Sequence, residues 1–448
     1  PATGSIVPQG AVAQAGPADT LKDSVAFRWS DTAGWKRVAR HEWVEDATPT
    51  ALQQSLTDPL YDMPFASKDT LFELAYTHRR GLNNDFFFFD ERLNAVEEEF
   101  FTLRDKLREN ARSIRTVDRP PRPTMPAIEP QTTVQSFIQS LYAHTDGMVV
   151  GEFHASIASK KLIIDNMALL KDQGVKTLYM EHLLADLHQL DLDRFFETGM
   201  MSDRLLLGLR KLDSGHLTDS SRVYNFEKLV IKAQQHGLEV RALDCAASYH
   251  LSGLRLPSQT TRQQMMNFYA SRAIRRHQAV MGKHKWVALV GNSHSNTYLG
   301  IPGIAELEGG IGLRINDVRP GNARGITLDP GEYARSQMST DEGFVRGNFL
   351  IEIEVPGSPM AIRPPQPLPI EQRLARPGMF VTEQDTDRLY VIVHKSRTQE
   401  IHRTPVQVSD EGKVFVDRPT WAGVHLQQYD DIDALILALE DINLTRVG

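Results

Sequence analysis

The amino-acid sequence predicts a multidomain protein with an N-terminal α-helical bundle, a central α/β domain with a mainly parallel sheet, and a small C-terminal α+β unit. Three observations lead to this fold class. In the central part a helix, a glycine and a strand follow one another repeatedly, a helical apolar stripe precedes that part, and two proline-rich segments divide the chain. The length of 448 residues suits about three domains. Hydrophobic residues at 41% and charged residues at 24% are typical of a globular protein.

The N-terminal part is predicted to be a flexible leader followed by a four-helix bundle. Residues 1–25 are rich in Ala, Gly, Pro and Gln, and the chain opens without Met, so we expect it to be excised from a longer polypeptide. In the bundle, residues 26–116, we expect helices around 35–39, 48–56 and 71–75. The clearest helix has apolar residues at steps of three and four, namely Leu93, Val96, Phe100, Leu103 and Leu107.

Two proline-rich segments predict the remaining domain boundaries. Residues 117–132 contain five prolines and read as a stiff linker, and residues 356–376 contain six and form a second crossing. The α/β domain should therefore span 133–355, and the α+β unit should span 377–448. In the last third of the chain we expect the strands Phe349–Val355, Leu389–His394 and Lys413–Val416 and the helix Ile432–Leu439.

The central domain repeats one pattern three times. Gly174, Gly237 and Gly282 each end a helical pattern, and an apolar strand follows at once. The helical patterns run from Ile157 to Leu170, from Val223 to Ala233, and over about 260–281. The strands are Val175–Met180, Leu238–Leu243 and Trp286–Val290. This order predicts right-handed βαβ units and a parallel sheet.

Composition excludes several classes of protein. A formal net charge of -7 argues against a general nucleic-acid binder. With one cysteine, Cys245, the chain can form neither an intramolecular disulfide nor a four-cysteine zinc site, which suits a reducing compartment. No apolar run approaches the roughly 20 residues that span a bilayer.

Polar side chains end four strands of the central domain. Since ligands bind beyond the carboxyl ends of parallel strands, these side chains should meet in one crevice. Glu152 and His154, at i and i+2, should point to one side of the chain. The other strand ends carry Glu181 and His182, Asp244, and Asn292, Ser293 and His294.

Two kinds of chemistry remain open for this crevice. Without metal, a buried glutamate acts as general base and histidines protonate the leaving group or stabilise an oxyanion. With metal, His154, His294 and Glu152 would bind a divalent ion that activates water. No metal is expected as the first choice, and no His-Glu-x-x-His helix is present.

Two rival nucleophiles carry less weight than these residues. Ser293 lies in a Gly-x-Ser-x-Ser sequence that lacks the last glycine of a nucleophile elbow. Cys245 is a lone cysteine, and most such residues are buried and inert.

The bundle carries a predicted membrane-binding tip. Arg79 and Arg80 precede the run Phe86, Phe87, Phe88 and Phe89, which cannot all face a helical core. We expect these six residues to bind an anionic membrane surface. The alternative is that the phenylalanines pack under the bundle or against the neighbouring domain.

The motifs Glu152-x-His154, Glu181-His182 and Gly291-x-x-His294 resemble the Tiki/TraB, erythromycin-esterase and ChaN-like superfamily. The order of a helical bundle and this α/β domain resembles the Ras-specific endopeptidase effector domains of MARTX-type toxins. It is also similar to the membrane-localisation bundle and following domain of the dermonecrotic toxin group. In this chain, Asp58–Asp62 would precede the third helix of such a bundle.

This resemblance implies a secreted bacterial toxin effector that acts in the host cytosol at the inner face of the plasma membrane. It implies site-specific hydrolysis of a Ras-family small GTPase without a cofactor, although a divalent metal is used by Tiki-type relatives. The implied catalytic set is Glu152, His154, Glu181, His182 and His294. The chain departs from the endopeptidase toxins in lacking an extra subdomain after the linker and in its last unit.

Two alternative functions stay open at the level of the sequence. One is a metal-dependent hydrolase of another substrate, an ester or a peptide. The other is a non-catalytic scaffold that positions another toxin domain at the membrane.

Overall fold

A computed structural model gives the fold of most of the chain. It describes residues 25–39, 49–64, 67–72, 91–249, 259–334, 343–358, 360, 370–384 and 390–447.

The N-terminal segment begins with a hairpin and continues with helices. Its elements are β1 (Ala26–Ser30), β2 (Gly34–Arg37), α1 (Ala51–Leu56), α2 (Lys68–Phe72), α3 (Glu91–Ala111) and a 3₁₀ helix (Arg112–Thr116). α1 and α3 confirm two of the predicted helices. α2 covers the beginning of the helix predicted at 71–75, whose remaining residues lie outside the described part of the chain.

The helix predicted around Trp35 is wrong, because this stretch is the second strand of the hairpin. The turn between β1 and β2 ends at Gly34, whose φ of 69° suits a residue without a Cβ. Trp29 and Trp35 then face each other across the hairpin, with ring centroids 5.2 Å apart in an edge-to-face arrangement. β1 also pairs with the strand Met200–Ser202 of the central domain, so tertiary pairing fixes the strand conformation.

The central domain alternates helices and strands as expected. Its elements are α4 (Val134–His144), β3 (Gly147–Glu152), α5 (Ala158–Asp165), α6 (Met167–Asp172), β4 (Val175–Leu184), α7 (Ala185–Thr198), β5 (Met200–Ser202), α8 (Asp203–Gly215), a 3₁₀ helix (Thr218–Ser220), α9 (Phe226–Gln235), β6 (Glu239–Asp244), α10 (Gln259–Met281), β7 (Lys285–Gly291), α11 (Asn292–Ser295), α12 (Ile304–Glu308), β8 (Ile311–Val318), β9 (Ile326–Leu328), β10 (Glu332–Ala334), β11 (Gly343–Val345) and β12 (Phe349–Glu354).

The main sheet has the strand order β6-β4-β7-β3-β8-β12-β9. All pairings among its first six strands are parallel, and β9 runs antiparallel to β12. The mainly parallel sheet is therefore confirmed. Gly174, Gly237 and Gly282 have φ values of 87°, 71° and 81°, as expected for glycines that end helices.

Three local expectations in this domain need correction. The helix predicted from Ile157 to Leu170 is two helices, α5 and α6, which meet at Asn166. Val223 precedes α9 and is 55% exposed, because Asn225 caps the helix by accepting the Lys228 N–H. β4 does not end at Met180 but continues to Leu184 through a register shift, so it carries part of the site itself.

The N-terminal helices pack on the central domain. α3 lies against α10, and α2 lies against both α3 and α7. One buried cluster combines Met63, Leu71, Phe72, Val96 and Phe100 with Leu184, Leu187 and Ala246. Among the described residues these helices therefore share a core with the α/β domain, and a separate bundle ending at 116 stays a prediction.

The C-terminal unit is a five-stranded sheet covered by one helix. Its elements are α13 (Ile370–Arg373), β13 (Met379–Gln384), β14 (Tyr390–Lys395), β15 (Ile401–Val408), β16 (Val414–Val416), α14 (Ile432–Asp441) and β17 (Thr445–Arg446), with the strand order β16-β15-β14-β13-β17. β14, β16 and α14 confirm the predicted elements. No helix in the described part of the chain is long and apolar enough to cross a lipid bilayer.

Candidate active site

The candidate site lies at the carboxyl edge of four neighbouring strands, β6, β4, β7 and β3. These strands are parallel, so the side chains that end them reach the same crevice. The predicted residues lie there as follows: Glu152 ends β3, Glu181 and His182 lie in the last part of β4, Asp244 ends β6, and Asn292, Ser293 and His294 lie in α11 after β7.

Glu152 is a buried carboxylate that is already paired. Lys160 of α5, also buried, donates from Nζ to Glu152 Oε2 across 2.7 Å, and the Ser159 hydroxyl donates to the same oxygen. Burial alone would raise the pKa of Glu152, but Lys160 and His182 bring that pKa to about 2. Glu152 is therefore ionised and is a weak base at neutral pH.

Two imidazoles, those of His182 and His154, lie in a row next to the other carboxylate oxygen of Glu152, Oε1. His182 Nε2 lies 3.1 Å from Glu152 Oε1 and 3.1 Å from His154 Nδ1. His154 is exposed at the mouth of the crevice, but the protein atoms packed around its ring displace water from it and, with the neighbouring His182, lower its pKa. When His182 donates its Nε2 proton, His154 Nδ1 is the acceptor and the proton of the neutral His154 ring is on Nε2. His154 thus offers an N–H donor beside Gly291.

Glu181 organises the opposite half of the site. Its Oε2 accepts the Gly291 N–H at 2.6 Å, and its Oε1 lies 3.3 Å from His294 Nε2. His294 Nδ1 donates to Asn267 Oδ1 at 2.6 Å. The Asn267 amide donates in turn to the Pro302 carbonyl at 2.8 Å, which fixes its orientation. A neutral His294 therefore carries its lone pair on Nε2, facing Glu181.

Burial acts on both members of this pair. It would raise the pKa of Glu181, but His294, His154 and Arg262 bring that pKa to about 2. Burial lowers the pKa of His294 to about 4, against the opposing effect of Glu181. At neutral pH the half-site therefore contains an ionised carboxylate beside a neutral imidazole, which suits His294 to accept a proton.

Arg262 adds a fixed positive charge between two carboxylates. Its Nη2 lies 2.6 Å from Asp244 Oδ2 and 3.6 Å from Glu181 Oε1. Asp244 also accepts the Cys245 N–H at 2.9 Å and the Ser248 hydroxyl. Asp244 therefore holds Arg262 at the edge of the site, and its supporting role in the chemistry stays a prediction.

The two motif glycines make room for these side chains. A Cβ on Gly291 would lie 3.0 Å from His154 Cε1, and a Cβ on Gly151 would lie 3.0 Å from Asn292 Oδ1. Both contacts are tighter than ordinary van der Waals separations, so a larger residue at either position would push His154 or Asn292 out of place.

Four residues of the site were not singled out from the sequence: Lys160, His216, Arg262 and Asn267. Lys160 and Arg262 lie on helices, and His216 follows α8, so no strand-end pattern marks them. The His216 ring lies 4.9 Å from the His154 ring and 5.9 Å from the His182 ring, measured between centroids. Burial and the nearby His154 lower the pKa of His216 to about 3.

The remaining predicted residues have weaker links to this chemistry. The side-chain nitrogen and oxygen of Asn292 are buried and have no hydrogen-bond partner among the described residues. The Ser293 carbonyl accepts the Gln263 amide, which ties α11 to α10. Cys245 is buried, and burial together with Asp186 raises the pKa of its thiol well above the usual range. A thiol in this state is a poor nucleophile.

One group of side chains could hold a divalent ion. Glu152, His154 and His182 have ligand atoms that all lie within 4.8 Å of one another. Glu152 Oε1 accepts no well-aligned hydrogen bond among the described residues although His182 Nε2 lies 3.1 Å away, and one carboxylate with two imidazoles suits several divalent metals. The donor set therefore fits a metal, although the structure groups His182, in place of His294, with Glu152 and His154.

The predicted membrane-binding residues Arg79, Arg80 and Phe86, Phe87, Phe88 and Phe89 lie outside the described part of the chain. Their role stays a prediction.

Comparison with known proteins places part of the chain beside bacterial toxins. No family model matches the chain. A stretch of 176 residues, 38% of the chain, is 30% identical to the multifunctional-autoprocessing repeats-in-toxin protein of Vibrio vulnificus and covers 3% of that protein. Part of the chain is thus homologous to a MARTX toxin, which confirms the predicted resemblance.

Solved structures of toxins and effectors show partial likeness. RRSP, a MARTX toxin effector domain from Vibrio vulnificus CMCP6, is 23% identical over 50% of this chain and 40% of its own, with a TM-score of 0.34. The C-terminal region of Pasteurella multocida toxin is 12% identical over 87% of this chain and 63% of its own, with a TM-score of 0.40. The type III effector HopBA1 is 15% identical over 51% of this chain and 97% of its own, with a TM-score of 0.33.

Proposed function

We propose that the chain is a toxin effector that hydrolyses a peptide bond in a Ras-family small GTPase of the host. The observation that supports this proposal is the meeting of two carboxylate–imidazole pairs, Glu152 with His182 and Glu181 with His294, at one edge of the sheet. The homology to a MARTX toxin and the likeness to RRSP favour this substrate class.

In the proposed reaction, His294 is the general base and acid. Its Nε2 takes a proton from water as the water oxygen bonds to the scissile carbonyl carbon. The resulting imidazolium is stabilised by Glu181 at 3.3 Å. When the C–N bond breaks, the same nitrogen returns the proton to the leaving amine.

The Glu152 half would stabilise the oxyanion. Lys160 fixes the charge of Glu152. Glu152 and His182 set the tautomer of His154. His154 Nε2–H then donates to the carbonyl oxygen as negative charge develops. Glu152 is then a positioning residue, a role that its low pKa suits better than that of the general base.

A metal ion is the basis of a second candidate function, hydrolysis of another ester or peptide. Glu152, His154 and His182 would hold the ion, which would supply Lewis acidity and an activated water. The compactness of this group is the observation that favours the alternative.

We further propose that the protein acts at the inner face of the host plasma membrane after bacterial secretion. Arg79, Arg80 and Phe86–Phe89 would bind anionic lipid there. Replacing Phe86–Phe89 with Ser should release the protein from anionic vesicles in a sedimentation assay, whereas continued binding would favour a packing role for these residues.

The activity is tested by intact-mass analysis of purified Ras after incubation with the protein, with and without EDTA. We expect two defined fragments in both samples. Fragments only in the absence of EDTA would assign the reaction to the metal-dependent alternative, and intact Ras in both samples would refute the Ras proposal.

A further inference from the structure

A third imidazole lies at the outer edge of the site and is not used by the proposed reaction. His216 is half-buried, and its ring lies 4.9 Å from the ring of His154, which is exposed to solvent at residue level. Lys160 and Phe226 lie behind this group, because Lys160 Nζ sits 4.1 Å from the Phe226 ring centroid and that ring lies 4.5 Å from the His182 ring. His216 therefore belongs to the solvent-facing wall of the crevice.

The residue after His216 has a strained backbone and an exposed apolar side chain. Leu217 has a φ of 60° and a ψ of 20°, the left-handed conformation, and is 58% exposed. This conformation brings a Cβ too close to the following carbonyl oxygen, so a leucine there is uncommon. Neither burial of its side chain nor backbone geometry explains a leucine at this position.

The turn that carries Leu217 is firmly held on both sides. Asp213 accepts the Thr218 hydroxyl at 2.6 Å and the N–H groups of Phe226 and Glu227 at 2.8 Å and 3.1 Å. The Leu217 N–H donates to the Ser214 carbonyl at 3.3 Å. The surrounding hydrogen bonds thus impose the strained conformation, a situation typical of residues that contact ligands.

A second exposed apolar residue follows the site residue Glu152 directly in sequence. Phe153, between Glu152 and His154, is 39% exposed. The two imidazoles at the mouth of the site, His154 and His216, are thus each adjacent in sequence to an exposed apolar residue.

We infer that Leu217 is a specificity-determining residue that contacts an apolar side chain of the polypeptide substrate next to the scissile bond, with His216 as the adjoining wall. This inference rests on the proposed peptide-bond hydrolysis. The substrate class that it implies is a polypeptide segment with a bulky apolar residue beside the cleaved bond. Binding is favoured when such a residue covers an exposed apolar side chain at the site, because apolar surface is removed from water.

The test compares steady-state cleavage of Ras by the wild type with cleavage by Leu217→Gly, Leu217→Asn and Leu426→Gly. Leu426 is the matched control, because it has a φ of 57° and 52% exposure and lies in the C-terminal unit, after β16. Glycine and asparagine both tolerate the left-handed conformation, so neither variant adds strain.

We expect both Leu217 variants to raise KM about tenfold or more, a loss usual for a missing apolar contact. Leu426→Gly should leave KM and kcat unchanged, and Leu217→Gly should have a melting temperature no lower than that of Leu426→Gly. A wild-type KM in Leu217→Gly would overturn the inference. The inference would also be overturned if Leu217→Gly melted at a lower temperature than Leu426→Gly and its kcat and kcat/KM fell equally. Those results would assign Leu217 a structural role. Intact Ras with the wild-type protein would instead refute the proposed function on which the inference rests.

Discussion

The two glutamates of the site reach the same charge state by different means. Glu152 and Glu181 are both buried, and the pKa of each is about 2. Glu152 is paired with the buried ammonium of Lys160 at 2.7 Å. Glu181 faces the imidazole of His294 at 3.3 Å and the guanidinium of Arg262 at the longer distance of 3.6 Å.

This difference separates a fixed charge from a charge that can change during a reaction. Burial lowers the pKa of Lys160 and Glu152 opposes that shift, and the two groups are in direct contact at 2.7 Å, so the Glu152 half is an anchor. The imidazole of His294 is neutral at neutral pH, and the carboxylate beside it would stabilise the protonated ring, so the Glu181 half can carry out proton transfer. The two halves should therefore respond differently to substitution and to pH.

Substitution of Lys160 should have the largest effect. Lys160→Met removes the buried cation and leaves the Glu152 carboxylate uncompensated, so we expect a loss of about 3–5 kcal/mol in the free energy of unfolding. Urea denaturation measures this loss. Cleavage should also fall, because Glu152 loses the cation that holds its carboxylate in place beside His182.

The neighbouring Lys161 provides a matched control. It forms an ion pair with Asp165 at the surface, and Lys161→Met should cost about 1 kcal/mol or less. Equal losses for the two variants would contradict the view that Lys160 is the anchor of the site. Adding Glu152→Gln to Lys160→Met should recover part of the stability, because it removes the unpaired charge.

Substitution in the other half should separate activity from stability. His294→Ala should lower kcat/KM by roughly 10²–10⁴-fold, the usual contribution of a general acid or base. Its loss of stability should be smaller than that of Glu152→Ala, which leaves Lys160 buried without its partner. Cleavage assays and thermal melts on the two variants check this. A His294→Ala variant with full activity would remove His294 from the mechanism.

Much of the central domain could be predicted from the sequence because its signals are local. Gly174, Gly237 and Gly282 end helices by their own conformational freedom, and the apolar strands that follow are buried on both faces. The strand ends then identified the carboxylates and imidazoles of the site, since parallel strands present them at one edge.

The parts that could not be predicted depend on contacts between distant residues. Trp35 lies in a strand because β1 pairs with β5, about 170 residues later in the chain. Lys160 and Arg262 lie on helices, and their role depends on how α5 and α10 pack over the sheet. Neither residue has a spacing from its carboxylate partner that a sequence pattern would reveal.

The smallest expected effect is on the pKa of His294, which should respond to a substitution in its own half of the site and not to one in the other half. Burial lowers this pKa from the ordinary value of 6.5 to about 4, and Glu181 opposes that shift. Glu181→Gln removes the opposing carboxylate, so the pKa of His294 should fall further, whereas Glu152→Gln should change it little. An NMR titration of the histidine Cε1–H signals, with His294→Asn used for assignment, measures these values.

The lowered pKa of His294 also makes the stability of the fold depend on pH. Because folding lowers the pKa of His294, the unfolded chain binds more protons between pH 6.5 and about 4, and stability is lost as the pH falls through this window. His294→Asn should lose less stability than the wild type over that range, as followed by urea denaturation at several pH values. An equal loss in both proteins would mean that His294 is already protonated in the folded state. Its Nε2 would then donate to Glu181, and His294 would begin the reaction as the general acid, with no free lone pair to take a proton from water.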